Sequence, residues 1–256
     1  MFRVKICGVM TPDDAALVAA AGADAVGLNF VAGSPRRLGA ADAGAVAAAL
    51  PEGVLRVGVF AGMEADEIAA IAARVGLDAI QLHGHLGPAP AGADAHPWEP
   101  PGICARLAPW PVIRAARLAG EGPPEGALGE AEAWVRAAAA AGRVPALVLV
   151  DAGAAGRAAP GGAALGGTGR TVDWERLTRA SSPGAPVALA GGLTPANVAA
   201  AIRATGVAAV DTASGVETAP GRKDRDLVTA FVREALAALR ETGGAGSGPP
   251  TTPGWG

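Results

Sequence analysis

Tyrosine is absent from the 256 residues, and cysteine (two), histidine (three) and aromatic residues (4%) are all scarce. Two cysteines cannot build a disulfide framework. With so few thiols and imidazoles, a Cys-rich metal centre is excluded and a His-rich one has almost nothing to draw on. Charge is scarce too: 18% of residues are charged and the net charge is −3. That balance leaves no basic footprint for nucleic acid. Long apolar runs are missing as well, because Asp, Arg or Pro interrupts every stretch approaching the ~18 residues of a membrane span. Met1–Val9 carries Arg3 and Lys5 with no long apolar stretch behind it, so no targeting leader is expected. The expectation is a soluble, cytoplasmic protein with reduced thiols and neither a membrane nor a nucleic-acid partner.

What is present is apolar residue, glycine and proline. The chain is 50% hydrophobic with 38 Gly and 21 Pro, too apolar for a disordered polymer. Short β-branched runs alternate with longer Ala-rich stretches of helical spacing. The expected strands are Val4–Cys7, Ala25–Phe30, Val54–Phe60, Ala79–Leu82, Val112–Ala115, Ala146–Val150, Val187–Ala190 and Ala208–Asp211. Each precedes an expected helix, from the Thr11- or Pro12-initiated one ending near Ala21 to Asp226–Leu239. Thr11 as cap, Pro12 in the first turn and Asp13 and Asp14 at the positive dipole end make the first helix the clearest. The fourth, within Pro100–Ala108, is the weakest, because prolines crowd the approach to it. The strands are apolar throughout rather than alternating, as strands buried on both faces are. Eight strand-then-helix units point to a single-domain α/β fold, a (β/α)8 TIM barrel over residues 1–242. An open doubly wound sheet is the structural alternative. Residues 243–256, rich in Gly, Pro, Ser and Thr, read as a disordered tail.

Barrel chemistry sits where strands end and helices have not begun. After the first strand comes Cys7, whose thiol can serve as base or nucleophile, although a lone Cys is more often a small buried apolar residue. Cys104, inside the weak fourth helix, fits that plainer description. After the second comes Ser34-Pro35-Arg36-Arg37, and a guanidinium suits a carboxylate, or simply solvent. After the fourth comes His83, an acid, base or hydrogen-bonding wall, or a capped structural imidazole. After the sixth comes Asp151, a general-acid candidate that could equally cap a loop. Glycine clusters follow the last three strands: Gly166–Gly169, Gly191-Gly192 and Ser214-Gly215. Backbone N–H groups in such loops, beside helix N-termini, bind phosphate, and the loops after strands seven and eight are the usual place for it in barrels. These residues describe a cofactor-free, metal-free barrel enzyme acting on a phosphorylated small molecule.

Six segments occur in order: KICGVMTPDDA, GLNFVAGSPRRL, QLHG, GGTGRTVDW, AGGLTPANV and DTASGVETAPGRKD. Together they resemble the phosphoribosylanthranilate isomerase family of tryptophan biosynthesis, from about Val4 to Leu239. The resemblance implies an Amadori rearrangement of N-(5-phosphoribosyl)anthranilate, an aminoaldose, to the 1-deoxyribulose 5-phosphate ketose. It implies Cys7 as general base, Asp151 as general acid and Arg36, or its neighbour Arg37, against the anthranilate carboxylate. It places the phosphate on Gly167, Gly169, Gly191, Gly192, Ser214 and Gly215, with His83 also at the substrate. The base should start ionised and the acid protonated, so the thiol pKa is expected to be depressed. The stretches Ala152–Leu165 and Leu86–Pro101 depart from the pattern. A histidine-pathway barrel isomerase would carry Asp where Cys7 stands, and a non-catalytic phosphometabolite-binding protein would not need Cys7 and Asp151 together. The expected assembly is a monomer or homodimer.

Overall fold

A four- to six-residue strand buried on both faces gains most when its inward and outward residues meet different apolar layers. This is the arrangement in the computed structural model, which describes residues 2–84, 99–151 and 174–243. Eight strands, β1 (Val4–Cys7), β2 (Ala25–Asn29), β3 (Leu55–Phe60), β4 (Ala79–Leu82), β5 (Val112–Arg117), β6 (Leu147–Asp151), β7 (Val187–Ala190) and β8 (Val210–Thr212), form a closed parallel barrel in chain order. Closure comes from β1 against β8, in the register Val4–Val210, Lys5–Asp211 and Ile6–Thr212. The TIM barrel is therefore present, and the open sheet is excluded.

Alternation along each strand divides the core in two. Val4, Ile6, Val26, Leu28, Ile80, Leu82, Val148, Val150 and Leu189 point outward and pack under the helices. Ala25, Val57, Ala79, Ile113, Leu147, Leu149, Ala188 and Ala209 fill the barrel itself. The outer layer comprises α1 (Pro12–Ala20), α2 (Ala40–Ala48), α3 (Ala65–Val75), α4 (Ile103–Arg106), α5 (Gly129–Ala140), α6 (Trp174–Arg179), α7 (Val198–Thr205) and α8 (Arg225–Gly243). Thr11 caps α1 as expected, its hydroxyl accepting the Asp14 N–H at 3.1 Å. The weak fourth helix is a single turn that buries Ile103 and Cys104.

Several boundaries differ from expectation. Strand β5 runs on to Arg117, because Ala116 and Arg117 continue the ladder with Val150 and Asp151. Helix α7 begins at Val198 rather than Pro195, since the Asn197 side chain accepts the Thr194 N–H (2.8 Å) and donates to the Gly192 carbonyl (3.0 Å), holding that segment as a turn. Strand β8 starts at Val210, two residues late. A short antiparallel hairpin, β9 (Glu217–Ala219) with β10 (Arg222–Lys223), was not anticipated. It folds back over the barrel mouth between β8 and α8. Gly243, expected to open a disordered tail, instead ends α8; the rest of that tail, and the segment carrying Gly167 and Gly169, lie outside the described residues.

Candidate functional site at the barrel mouth

The inward face becomes polar near the C-terminal ends of the strands. Lys5 and Cys7 are the inward residues of β1, Gln81 and then His83 continue the inward face of β4, Asp151 ends β6, and Asp211 is inward on β8. Lys5 is fully buried and donates to Asp211 Oδ1 at 2.8 Å across the β1–β8 seam. Burial penalises the ammonium, but the Asp211 carboxylate and the Cys7 thiol together outweigh it and hold Lys5 above its usual range. That fixed cation also acts on Cys7, two residues farther along the same face.

Cys7 is half-buried. Its thiol sits over Gly27 of β2: a methyl group there would come 2.6 Å from Cys7 Sγ and 2.9 Å from Cys7 Cα. The glycine of GLNF thus makes the space the thiol occupies. The thiol pKa is raised, opposite to the expectation of a depressed one. Desolvation is the main cause, with Asp211 adding to it, and the ammonium groups of Lys5 and Lys223 oppose it without prevailing. Cys104 makes a useful contrast, fully buried among apolar side chains and pushed to about 11 by desolvation.

His83 opens to solvent at the mouth, yet the strand ends crowding it disfavour an imidazolium. Arg114, Arg117 and Lys5 push the same way against the attraction of Asp151. Desolvation by those strand ends is the main cause of the lowered imidazole pKa, and the ring is neutral at pH 7. Gln81 Nε2 lies 3.4 Å from His83 Nδ1, and Gln81 Oε1 is buried without a hydrogen-bond partner among the described residues. Arg36 is nearly buried between the β2–α2 connection and the β9–β10 hairpin, where Glu217 accepts from its Nε at 2.9 Å.

The loops after β7 and β8 are built into one another. Gly191 and Gly192 both have positive φ. The Thr212 hydroxyl donates to the Leu193 carbonyl at 2.7 Å, and Gly215 packs so closely on that carbonyl that any side chain would collide with it. Ser214 and Gly215 lie in a 3-10 turn, Ser214–Val216, directly facing this connection. Such laced, glycine-rich backbone is the kind of concave surface that offers N–H groups to an anion.

Cys7, Arg36, His83, Asp151, Gly191, Gly192, Ser214 and Gly215 thus all fall at the same end of the barrel. Sequence reasoning missed Lys5, Asp211, Glu217 and Lys223. The signal was available: a Lys inside an apolar strand requires a buried anion, and Asp211 is an acid in another such strand. No cluster of His, Cys, Asp and Glu able to hold a metal ion occurs among the described residues.

A family profile described as N-(5′-phosphoribosyl)anthranilate (PRA) isomerase matches residues 4–96 and 129–234. The chain is 39% identical over 235 residues to N-(5′-phosphoribosyl)anthranilate isomerase of Rubrobacter xylanophilus, covering 92% of this chain and 99% of that one. It is 41% identical over 233 residues to the Myxococcus xanthus protein of the same name, covering 91% and 95%. Among solved structures, phosphoribosyl anthranilate isomerase from Thermotoga maritima superimposes with a TM-score of 0.71 at 33% identity, covering 93% of this chain and all of that one. A second such isomerase, in complex with reduced 1-(o-carboxyphenylamino)-1-deoxyribulose 5-phosphate, gives 0.68 at 31% identity with the same coverage.

Proposed function

The chain belongs to the N-(5′-phosphoribosyl)anthranilate isomerase family and is an aldose–ketose isomerase of tryptophan biosynthesis, and from that premise we propose that Cys7 is its general base and Asp151 its general acid. The reaction is an Amadori rearrangement in which no atom is gained or lost, so it reduces to moving protons. Asp151 gives a proton to the ribose ring oxygen, the C1–O bond breaks, and the nitrogen lone pair closes a Schiff base. The thiolate of Cys7 then takes the proton from the adjacent carbon, C2. The resulting enolamine tautomerises to the C2 ketone, with a proton returned at C1.

The observation that supports this pair is their joint placement. Both end strands on the inward face of the mouth, and Asp211, seated between their influences, interacts electrostatically with each. A thiolate in a desolvated mouth is a strong base, and the Lys5 ammonium offsets part of the cost of forming it. The neutral ring of His83 is suited to a wall that donates or accepts without adding charge. Arg36 would receive the anthranilate carboxylate. Gly191, Gly192, Ser214 and Gly215 would cradle the phosphate, joined by Gly167 and Gly169. No cofactor is required by these steps. No helix among the described residues is long and apolar enough to cross a membrane, in keeping with a cytoplasmic enzyme. The Thermotoga relative is described as dimeric, and a monomer or homodimer serves the reading equally.

Substrate loss followed by fluorescence tests it. Cys7→Ala and Asp151→Asn should each lower kcat by roughly 10²-fold or more while circular dichroism stays unchanged. Near-normal turnover in either variant would remove that residue from its role.

A further inference from the structure

Arg36 does not stand alone in the mouth. Glu217, on the β9–β10 hairpin, accepts from Arg36 Nε at 2.9 Å and from Nη2 as well, a two-point fork on one edge of the guanidinium. The Glu217 carboxylate also receives Lys223 Nζ at 2.7 Å and the Gly221 N–H at 3.3 Å. Lys223 spends its other donors on the carbonyls of Cys7 (2.6 Å) and Ala213 (3.2 Å). One side of the Arg36 stem rests on Gly8, where any β-carbon would collide with Arg36 Cδ. Burial works against the charge of Glu217, but Arg36 and Lys223 outweigh it and hold the carboxyl below its usual range. The hairpin is thus a bracket between the Arg36 loop, the end of β1 and the end of β8.

A guanidinium has five N–H donors, and this fork consumes one from Nε and one from Nη2. The end-on edge, Nη1 with the second Nη2 hydrogen, donates to no partner among the described residues. It has the spacing to grip a second carboxylate bidentately. From this geometry we infer that Glu217 is the positioning residue that turns Arg36 edge-on to the substrate's aromatic carboxylate, with Lys223 tying that orientation to the backbone of Cys7. The inference rests on the proposed role of Arg36. In the substrate the carboxylate is ortho to the nitrogen, and the nitrogen is two bonds from the carbon that loses its proton. A group that fixes the carboxylate therefore also fixes that carbon relative to the thiol.

The test compares binding of two ligands to the intact protein: the reduced carboxyphenylamino product analogue, and the same compound made from aniline, which lacks the carboxylate. Glu217→Gln should weaken the carboxylated ligand about tenfold and leave the aniline ligand within about twofold. Arg36→Met should show the same discrimination at least as strongly. The double variant should be no worse than Arg36→Met alone, because one residue acts through the other. Equal weakening of both ligands by Glu217→Gln, or no weakening of either, overturns the inference while leaving Arg36 in place. Absence of discrimination in Arg36→Met overturns the carboxylate assignment itself and the inference with it. Should Glu217→Gln fail to fold, Glu217→Asp, which keeps the charge but withdraws by one methylene, reads the same discrimination.

Discussion

Two ion pairs in this barrel are almost equally buried, Lys5–Asp211 inside the strands and Arg114–Glu99 outside them. Arg114 alternates with the inward residues Ile113 and Ala115, so it faces the helical layer. There it bonds the carbonyls of Leu82 (2.9 Å) and Gly84 (2.6 Å) and lies 5.1 Å from the centre of the Trp134 ring. Glu99 accepts the backbone N–H groups of Gly62 (3.2 Å) and Gly84 (3.0 Å) besides Arg114. Nearly every donor and acceptor in that cluster is committed to holding loops against the sheet. The inner pair is joined by one hydrogen bond, and its remaining field falls on a thiol. Burial and opposite charge do not distinguish a structural pair from one beside the chemistry; the face of the strand and the uncommitted capacity of the groups do.

Replacing each pair by apolar residues sharpens that contrast. Arg114→Met with Glu99→Leu strips the donor from the buried Leu82 carbonyl and the acceptor from the half-buried Gly84 N–H, at about 1–3 kcal/mol each, and should cost roughly 2–6 kcal/mol in a denaturant titration. Activity should fall only with the folded fraction. Lys5→Met with Asp211→Leu should leave stability nearly unchanged or improved, as paired buried charges often can be replaced, while kcat/KM drops by about 10²-fold. Similar stability losses for the two double variants would erase the distinction. A smaller effect follows from Gly27→Ala, whose methyl group displaces the Cys7 thiol; kcat should fall about 10- to 100-fold without loss of secondary structure, and an unchanged kcat would mean the thiol position is not critical. The smallest effect is on the pH profile. Because desolvation holds the thiol above its ordinary pKa, kcat/KM should rise with pH through the neutral and alkaline range. Asp211 resists ionisation of the thiol, so Asp211→Asn should move that limb to lower pH. A limb that stays in place or moves upward would separate Asp211 from Cys7.

The strands were readable because burial on both faces removes the polar alternation that obscures a strand elsewhere, and Val4–Cys7, Ala79–Leu82 and Val187–Ala190 were read with their observed ends. The hairpin of Glu217–Ala219 and Arg222–Lys223 was not, because its strands are too short for any period and it is held by side-chain contacts to Arg36 and Cys7 from distant parts of the chain. The mouth residues followed from position alone: a polar side chain just after an apolar strand lies at the open end of the barrel. Their electrostatics did not follow. The thiol's direction of shift depends on how desolvation compares with Lys5, Lys223 and Asp211, and that comparison exists only once β1 and β8 are side by side.

The seam between β1 and β8 also has a temporal meaning. Lys5 and Asp211 are 206 positions apart, and the bond from Lys223 to the Cys7 carbonyl spans 216. Strand β1, which carries the thiol, leaves the ribosome before the other seven strands of the barrel, and Asp211 and Lys223, which act on that thiol, arrive only with β8 and the hairpin after it. A nascent or truncated chain can form several β/α units and still lack a configured base. Recovery of turnover during refolding is therefore a direct clock for ring closure, one that circular dichroism, which registers helices wherever they form, cannot provide.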